Sequence, residues 1–165
     1  TRLVLVKNYE IRGAVISDQA NITNLASGIG IQITSSQILR AIHDNSSHIT
    51  CLILDDILVG FAMTGNFVLD EVSLLYLCVG LKHRRLGYGR NLFLENIEFW
   101  RKKRIRKCLL ELKVSNDRAR IFYETLGFKV DGVRPNYYPV NMMGVREDAL
   151  LMSWRLPEKL ECSGG

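Results

Sequence analysis

The residues best placed for chemistry begin where an apolar run, Leu74 to Val79, gives way to Gly80-Leu81-Lys82-His83-Arg84-Arg85-Leu86-Gly87-Tyr88-Gly89-Arg90. Glycines let backbone N–H groups turn inward with no Cβ in the way, and a helix N-terminus adds partial positive charge, so such a loop cradles anions. The ordinary nucleotide loops do not fit. The dinucleotide fingerprint wants a glycine where Leu92 stands, and the Gly-Lys-Ser/Thr of a Walker loop occurs nowhere. Four cysteines, Cys51, Cys78, Cys108 and Cys162, have no C-x-x-C pair and no histidine at zinc spacing, so no metal site is expected. Cys51, Cys78 and Cys108 lie in apolar runs and read as buried, reduced thiols.

The surrounding elements must present that loop. Residues 17–27 and 34–44 have helical patterns, the second with Thr34 as N-cap. Two β-branched runs, 48–54 and 57–64, flank Asp55-Asp56 as a hairpin would, and 72–79 is a third strand. The period then changes: Phe93, Ile97 and Trp100 share one face of a helix over 89–104. A strand over 108–114 follows, then a helix capped by Asn116 or Asp117 and stopped at Gly127-Phe128. Strands over 128–133 and 148–156 close the chain around a loop, 135–147, that holds Tyr137-Tyr138-Pro139. This order describes an α/β protein, a mixed central sheet with helices on both faces and a parallel crossover between the third and fourth strands. Ligands in such sheets favour strand ends where connections diverge, which again singles out the loop after Val79.

Arg84-x-x-Gly87-x-Gly89 after an apolar strand resembles the pyrophosphate-binding motif of the GNAT acetyltransferase superfamily. Further blocks resemble its bacterial ribosomal-protein-alanine N-acetyltransferases, the RimI type: Leu69-Asp70-Glu71, Leu110 to Asn116, Phe122 to Phe128, Asn136-Tyr137-Tyr138-Pro139 and Arg146 to Leu150. They fall in order over more than half of the chain. The segment from Gly28 to Ser36 departs from the resemblance, with Ile29-Gly30-Ile31-Gln32-Ile33-Thr34 where a Pro-Trp-Ser type segment is common. Val140-Asn141-Met142-Met143 also lengthens the tyrosine loop before Gly144.

The resemblance implies a GNAT fold whose splayed pair of parallel strands holds acetyl-CoA, and it assigns roles. Acetyl transfer to an amine needs a neutral amine, a polarised thioester carbonyl and a proton for the departing thiolate. Glu111 takes the place of the general base. Its apolar neighbours suggest a poorly solvated site that would raise the carboxyl pKa from about 4.3, while a solvent-facing position on an alternating strand fits the same residues. Tyr123 takes the place of the general acid, although it also fits a core aromatic beside Phe122 and Leu126. Backbone groups of Leu77, Cys78 and Val79, with the Asn116 side chain, would hold the pantetheine arm, and Arg85, Leu86, Gly87, Tyr88, Gly89 and Arg90 the pyrophosphate. Cys78 has no adjacent base, which favours direct transfer over an acyl-cysteine. Tyr137 and Tyr138 would wall the acceptor site, and Asp70 and Glu71 would face a positively charged peptide. A protein N-terminus suits a single carboxylate base better than lysine, since its amine has a pKa of about 8 against about 10.4.

Composition sets the frame. The 165 residues are 47% apolar with a net charge of +5, consistent with one globular domain over 1–165 and a flexible tail over 157–165. No apolar run is long enough to cross a bilayer, and the apolar start breaks at Lys7-Asn8, too soon for a signal-peptide core, so a cytoplasmic location is expected. From Arg101 to Lys107 every residue but Ile105 is basic. A helix terminus would explain that run through its dipole; contact with a ribosome or nucleic acid is the other reading, although no zinc finger, RNP sequence or basic zipper accompanies it. On the resemblance alone, the expected partner is a ribosomal protein whose N-terminal alanine is acetylated; the alternatives are an acetyltransferase for a small-molecule amine or polyamine, or a non-catalytic acyl-CoA-binding module.

Overall fold

Asp55 and Asp56 both adopt positive φ, 49° and 65°, the geometry whose twist suits a two-residue hairpin. They join β2 (Ser47–Leu54) to β3 (Ile57–Val68) with Leu54 opposite Ile57. The structure, a computed structural model, describes residues 8–158. The expectations for the apolar start, for Cys162 and for most of the tail lie outside those residues. A second two-residue turn, Leu69-Asp70, leads from β3 into β4 (Glu71–Val79), so β3 runs four residues beyond its expected end at Thr64. After β4 come α3 (Tyr88–Lys102), β5 (Lys107–Lys113), α4 (Asp117–Thr125), β6 (Lys129–Arg134) and β7 (Ala149–Arg155).

The seven strands form one mixed sheet in the order β1-β2-β3-β4-β5-β7-β6. β1 (Tyr9–Gly13) was not anticipated. It is an edge strand of sequence Tyr-Glu-Ile-Arg-Gly, half of it open to solvent, so it lacks the apolar run that marks β2 and β3. Before the sheet resumes, a single helical turn (Ile16–Asp18) leads into α1 (Gln19–Gly28), and α2 (Ser35–His43) follows. Thr34 caps α2 as expected, its Oγ1 accepting from Gln37 N at 3.2 Å while Gln37 Oε1 accepts from Thr34 N at 2.8 Å.

Helices cover both faces. α1 and α2 bury Ile22, Ala26, Ile38 and Ala41 against Ile49, Cys51, Phe61, Met63 and Cys78. On the other face α3 buries Phe93 and Trp100 against Val72, Leu74, Cys108, Leu110, Met152 and Trp154. The α4 stop is the expected one: Gly127 has φ 99°, Phe128 N donates to Tyr123 O at 3.0 Å, and the Phe128 ring is buried. Among the described residues no helix is long and apolar enough to cross a membrane.

Two irregularities in β4 decide what the sheet can do. Its parallel ladder with β5 has three pairs, Glu71 to Lys107, Val72 to Cys108 and Ser73 to Leu109, and stops there. Beyond Ser73 and Leu109 the strands part, β4 staying with β3 and β5 with β7. At the parting point Met63 faces Tyr76 and Thr64 faces Leu74, so Leu75 is an extra, bulged residue. One extra residue swaps the faces: Val72 and Leu74 pack on the α3 side, whereas Cys78 packs on the α1–α2 side.

Candidate active site

The opening between β4 and β5 is bordered at one end by the glycine loop. Arg84 Nε donates to Val79 O at 3.0 Å, tying the loop back to the strand that it leaves. Arg85 (φ 60°) and Gly87 (φ 83°) turn the chain so that α3 starts at Tyr88, with Gly87 as its N-cap and no capping side chain. The first-turn N–H groups of a helix have no intrahelical acceptor, so those of Tyr88, Gly89 and Arg90 are free for an anion. A Cβ on Gly89 would come within 3.1 Å of the Phe122 ring, so glycine lets α4 lie against the start of α3. Arg85, Leu86 and Arg90 are exposed around this end, and Tyr88 stacks at 5.8 Å on Tyr9.

Beyond Ser73 the β4 edge facing the opening has no strand partner; Cys78, expected there, turns its main-chain groups to Phe61 of β3, so those left for an extended ligand are the Leu77 N–H and C=O and the Val79 N–H. On the α3–α4 side of the opening lies Tyr123. Its ring packs 5.4 Å from Phe128 and 5.3 Å from Phe122, and burial, with the Cys78 and Cys108 thiols near, raises the phenol well above its ordinary value. The phenol therefore keeps its proton. Burial also pushes the Cys78 thiol up to about 12, so this sulfur is an inert thiol and not a thiolate nucleophile. Asn116 caps α4, its Oδ1 accepting from Ala119 N at 3.2 Å. That leaves its amide N–H groups to donate elsewhere.

Glu111 faces the opposite side. In β5 the residues Cys108, Leu110 and Leu112 are buried against α3, and Glu111 alternates away from them. The apolar, poorly solvated site suggested by its neighbours is not found: its side chain is 34% exposed and pairs with Arg134, Nη1 to Oε1 at 3.0 Å. The alternation of the strand is the reason, since the flanking leucines point to the other face.

Around Glu111 opens a cleft of about 790 Å³ between the sheet and α2. Tyr137 and Tyr138 form one wall, their rings edge to face at 5.2 Å, and Ile33, Gln37 and Arg40 form another. The bulge at Leu75 lies in its floor with Leu74 and Tyr76. The tyrosine loop is held by Tyr138 N donating to Glu147 O at 3.0 Å and Asn136 N donating to Asp148 Oδ1 at 2.7 Å. Tyr137 is raised above its usual value, first by the Glu111 carboxylate beside its hydroxyl. Asp70 and Glu71 are not brought here. They start β4, four residues of strand below the level of Glu111, or about 13 Å. Glu71 is already paired with Lys107 at 2.9 Å.

Arg134 was missed in the sequence, although it stands two residues before Asn136-Tyr137-Tyr138. A lone arginine near a strand end carries no signal until the strand pairing sets it beside Glu111. A second groove, of about 630 Å³ along α3 and lined by Tyr9, Leu94, Glu98 and Trp154, holds none of these candidate groups.

Comparison with known proteins places this geometry. The acetyltransferase (GNAT) domain family matches residues 45–130, just over half of the chain. The ribosomal protein bS18-alanine N-acetyltransferase of Escherichia coli K12 is 38% identical over 96 residues, covering 58% of this chain and 63% of the relative. The chain thus matches a little under two thirds of that relative's length. The crystal structure of the Escherichia coli ribosomal-protein-S18-alanine N-acetyltransferase superposes with a TM-score of 0.80 at 26% identity, covering 94% of this chain and 98% of that one. The Salmonella typhimurium protein yncA, solved with its cofactor acetyl-CoA, has the same fold: TM-score 0.77 at 20% identity, over 92% and 95% of the two chains. The sheet, its splayed strands and the glycine loop are the frame of that fold, and the chain belongs to the GNAT acetyltransferase family.

Proposed function

We propose that this chain transfers an acetyl group from acetyl-CoA to the N-terminal amine of a protein, with the N-terminal alanine of a small-subunit ribosomal protein as the acceptor. One observation carries the reading: the β4–β5 opening has a tyrosine packed between Phe122 and Phe128 on one side and a carboxylate at the foot of an open cleft on the other. A family of acetyltransferases, a relative named for the bS18 alanine, and a fold neighbour solved with acetyl-CoA support it.

In this reading acetyl-CoA lies in the opening, its pantetheine arm on the free edge of β4 at Leu77 and Val79 and on the Asn116 amide. Its pyrophosphate meets the N–H groups at the start of α3, with Arg85 and Arg90 beside them. The acceptor enters through the cleft past Tyr137 and Tyr138. Glu111, through a water molecule, takes a proton from the acceptor ammonium; the neutral nitrogen attacks the thioester carbonyl carbon, and the adduct loses its second N–H proton to solvent. The C–S bond breaks, and the departing thiolate receives the proton of Tyr123. A thiol of pKa about 8.5 leaves as a thiolate that a phenol of pKa about 10 protonates only when the donor is held in a water-poor place. Tyr123 has such a place with Phe122, Phe128 and Cys108.

Mass spectrometry tests it: an Ala-starting peptide copied from the ribosomal protein is incubated with acetyl-CoA, beside the same peptide with a blocked N-terminus and an internal lysine. One acetyl group on the free N-terminus alone is the expected result. No transfer to either peptide, with acetyl-CoA bound, would move the acceptor to small amines and point to the altered segment from Gly28 to Ser36.

A further inference from the structure

Glu111 is not left to solvent. Among the described residues Arg134 is its partner cation, and that contact is single, Nη1 to Oε1 at 3.0 Å, with the Tyr137 hydroxyl also beside the carboxylate. The same guanidinium lies 4.9 Å from the centre of the Tyr137 ring. Arg134 therefore sits between the carboxylate and the tyrosine wall of the cleft. Its backbone is fixed: it ends β6, opposite Ala149 of β7, and β7 in turn pairs Leu151 with Glu111. Lys113, the next residue on the same face of β5, is turned to Tyr138, 5.7 Å from its ring, and does not compete for Glu111.

We propose that Arg134 is a positioning residue for the acetyl transfer, holding the Glu111 carboxylate by one oxygen so that the other faces the acceptor amine. This rests on the proposed function. A glutamate side chain has three rotatable bonds, and a base that must meet a water and an amine loses rate with every misplaced orientation; a misplacement of about 1 Å costs up to roughly 100-fold. The guanidinium and the Tyr137 ring restrict that freedom. An opposing role is conceivable for the same contact, in which the guanidinium occupies the place of the acceptor ammonium and must be displaced. The two roles give opposite kinetics.

The experiment measures steady-state acetylation of the Ala-starting peptide by wild type, Arg134→Ala and Arg134→Lys, with acetyl-CoA affinity measured by calorimetry on each. Arg134 is half exposed on an edge strand, and acetyl-CoA affinity reports that the variants are folded. Expected for Arg134→Ala is a kcat about 10- to 100-fold lower, with acetyl-CoA affinity unchanged and part of the kcat restored by guanidinium ion in solution but not by sodium chloride. Arg134→Lys should keep part of the rate. An unchanged kcat, a lower KM for peptide at full kcat, or a loss of kcat that neither guanidinium nor lysine restores would overturn the proposal. Wild type that binds acetyl-CoA yet acetylates no N-terminus would overturn the function on which it rests, whatever Arg134→Ala does.

Discussion

The two sides of the β4–β5 opening are built in opposite ways. On the α3–α4 side Tyr123 is packed with Phe122, Phe128 and Cys108, and burial raises this tyrosine and the Cys78 and Cys108 thiols alike. On the α2 side Glu111 is partly solvated, ion-paired and open to a wide cleft. A proton donor must hold its proton until a thiolate forms, which exclusion of water achieves. A carboxylate that must accept one has to reach the acceptor and its water, which an open cleft allows. The bulge at Leu75 and the early end of the parallel ladder separate the two environments.

The largest expected effect probes the solvated side. Glu111→Gln should lower kcat by about 100- to 10,000-fold, the range for a general base, with acetyl-CoA affinity kept. A fall in acetyl-CoA affinity instead would mean that Glu111 belongs to the cofactor side.

Next comes the strand that divides the two. A Cβ on Gly60 would lie 2.9 Å from Cys78 O and 3.2 Å from the Leu92 side chain, so Gly60→Ala must push β4. It should cost about 1–3 kcal/mol in denaturant unfolding and weaken acetyl-CoA binding. Weakened acetyl-CoA binding without loss of stability would place the strain in the cofactor site alone.

A smaller effect lies outside the opening. Asp18 is buried, accepts from Arg12 at 2.7 and 3.1 Å and from Val15 N at 2.8 Å, and is held below its ordinary pKa first by the Arg12 hydrogen bond. Its stabilisation is fully present above the unfolded carboxyl value of about 3.9 and is lost as the pH falls through the lower folded value. Asp18→Ala should cost about 1–3 kcal/mol near neutral pH, the partly exposed Arg12 lessening the penalty, and the difference should close in acid. Thermal unfolding against pH reads both. The smallest effect is at Cys78: Cys78→Ala should leave turnover within about tenfold, because a thiol raised by burial is no nucleophile. Abolished turnover with acetyl-CoA still bound would restore the acyl-cysteine route.

Elements that announce themselves locally were legible from sequence. The Asp55-Asp56 turn, the Thr34 cap, the Gly127 stop and the strand–loop–helix around Gly87 and Gly89 each depend on residues close in the chain, and each is present. Features set by pairing were not. β1 has too few apolar residues to stand out, and the bulge at Leu75 lies in a run, Leu-Leu-Tyr-Leu-Cys-Val, apolar on both faces and therefore silent about register. Of the two settings the sequence leaves open for Glu111, the solvent-facing one is found, because its apolar neighbours in the strand belong to the other face. Asp70 and Glu71 were expected to face a positively charged peptide; parallel pairing of Glu71 with Lys107 sets them away from the cleft lining, at the start of β4.

The central claim is that the proton of the leaving thiol comes from the buried side. The most direct measurement is single-turnover acetylation of the Ala-starting peptide by Tyr123→Phe, with acetyl-CoA affinity measured on the same protein. Removing only the hydroxyl should leave the affinity as in wild type and slow the transfer by about 100-fold or more. Transfer at the wild-type rate with normal affinity would contradict the account, since the thiolate would then draw its proton from elsewhere.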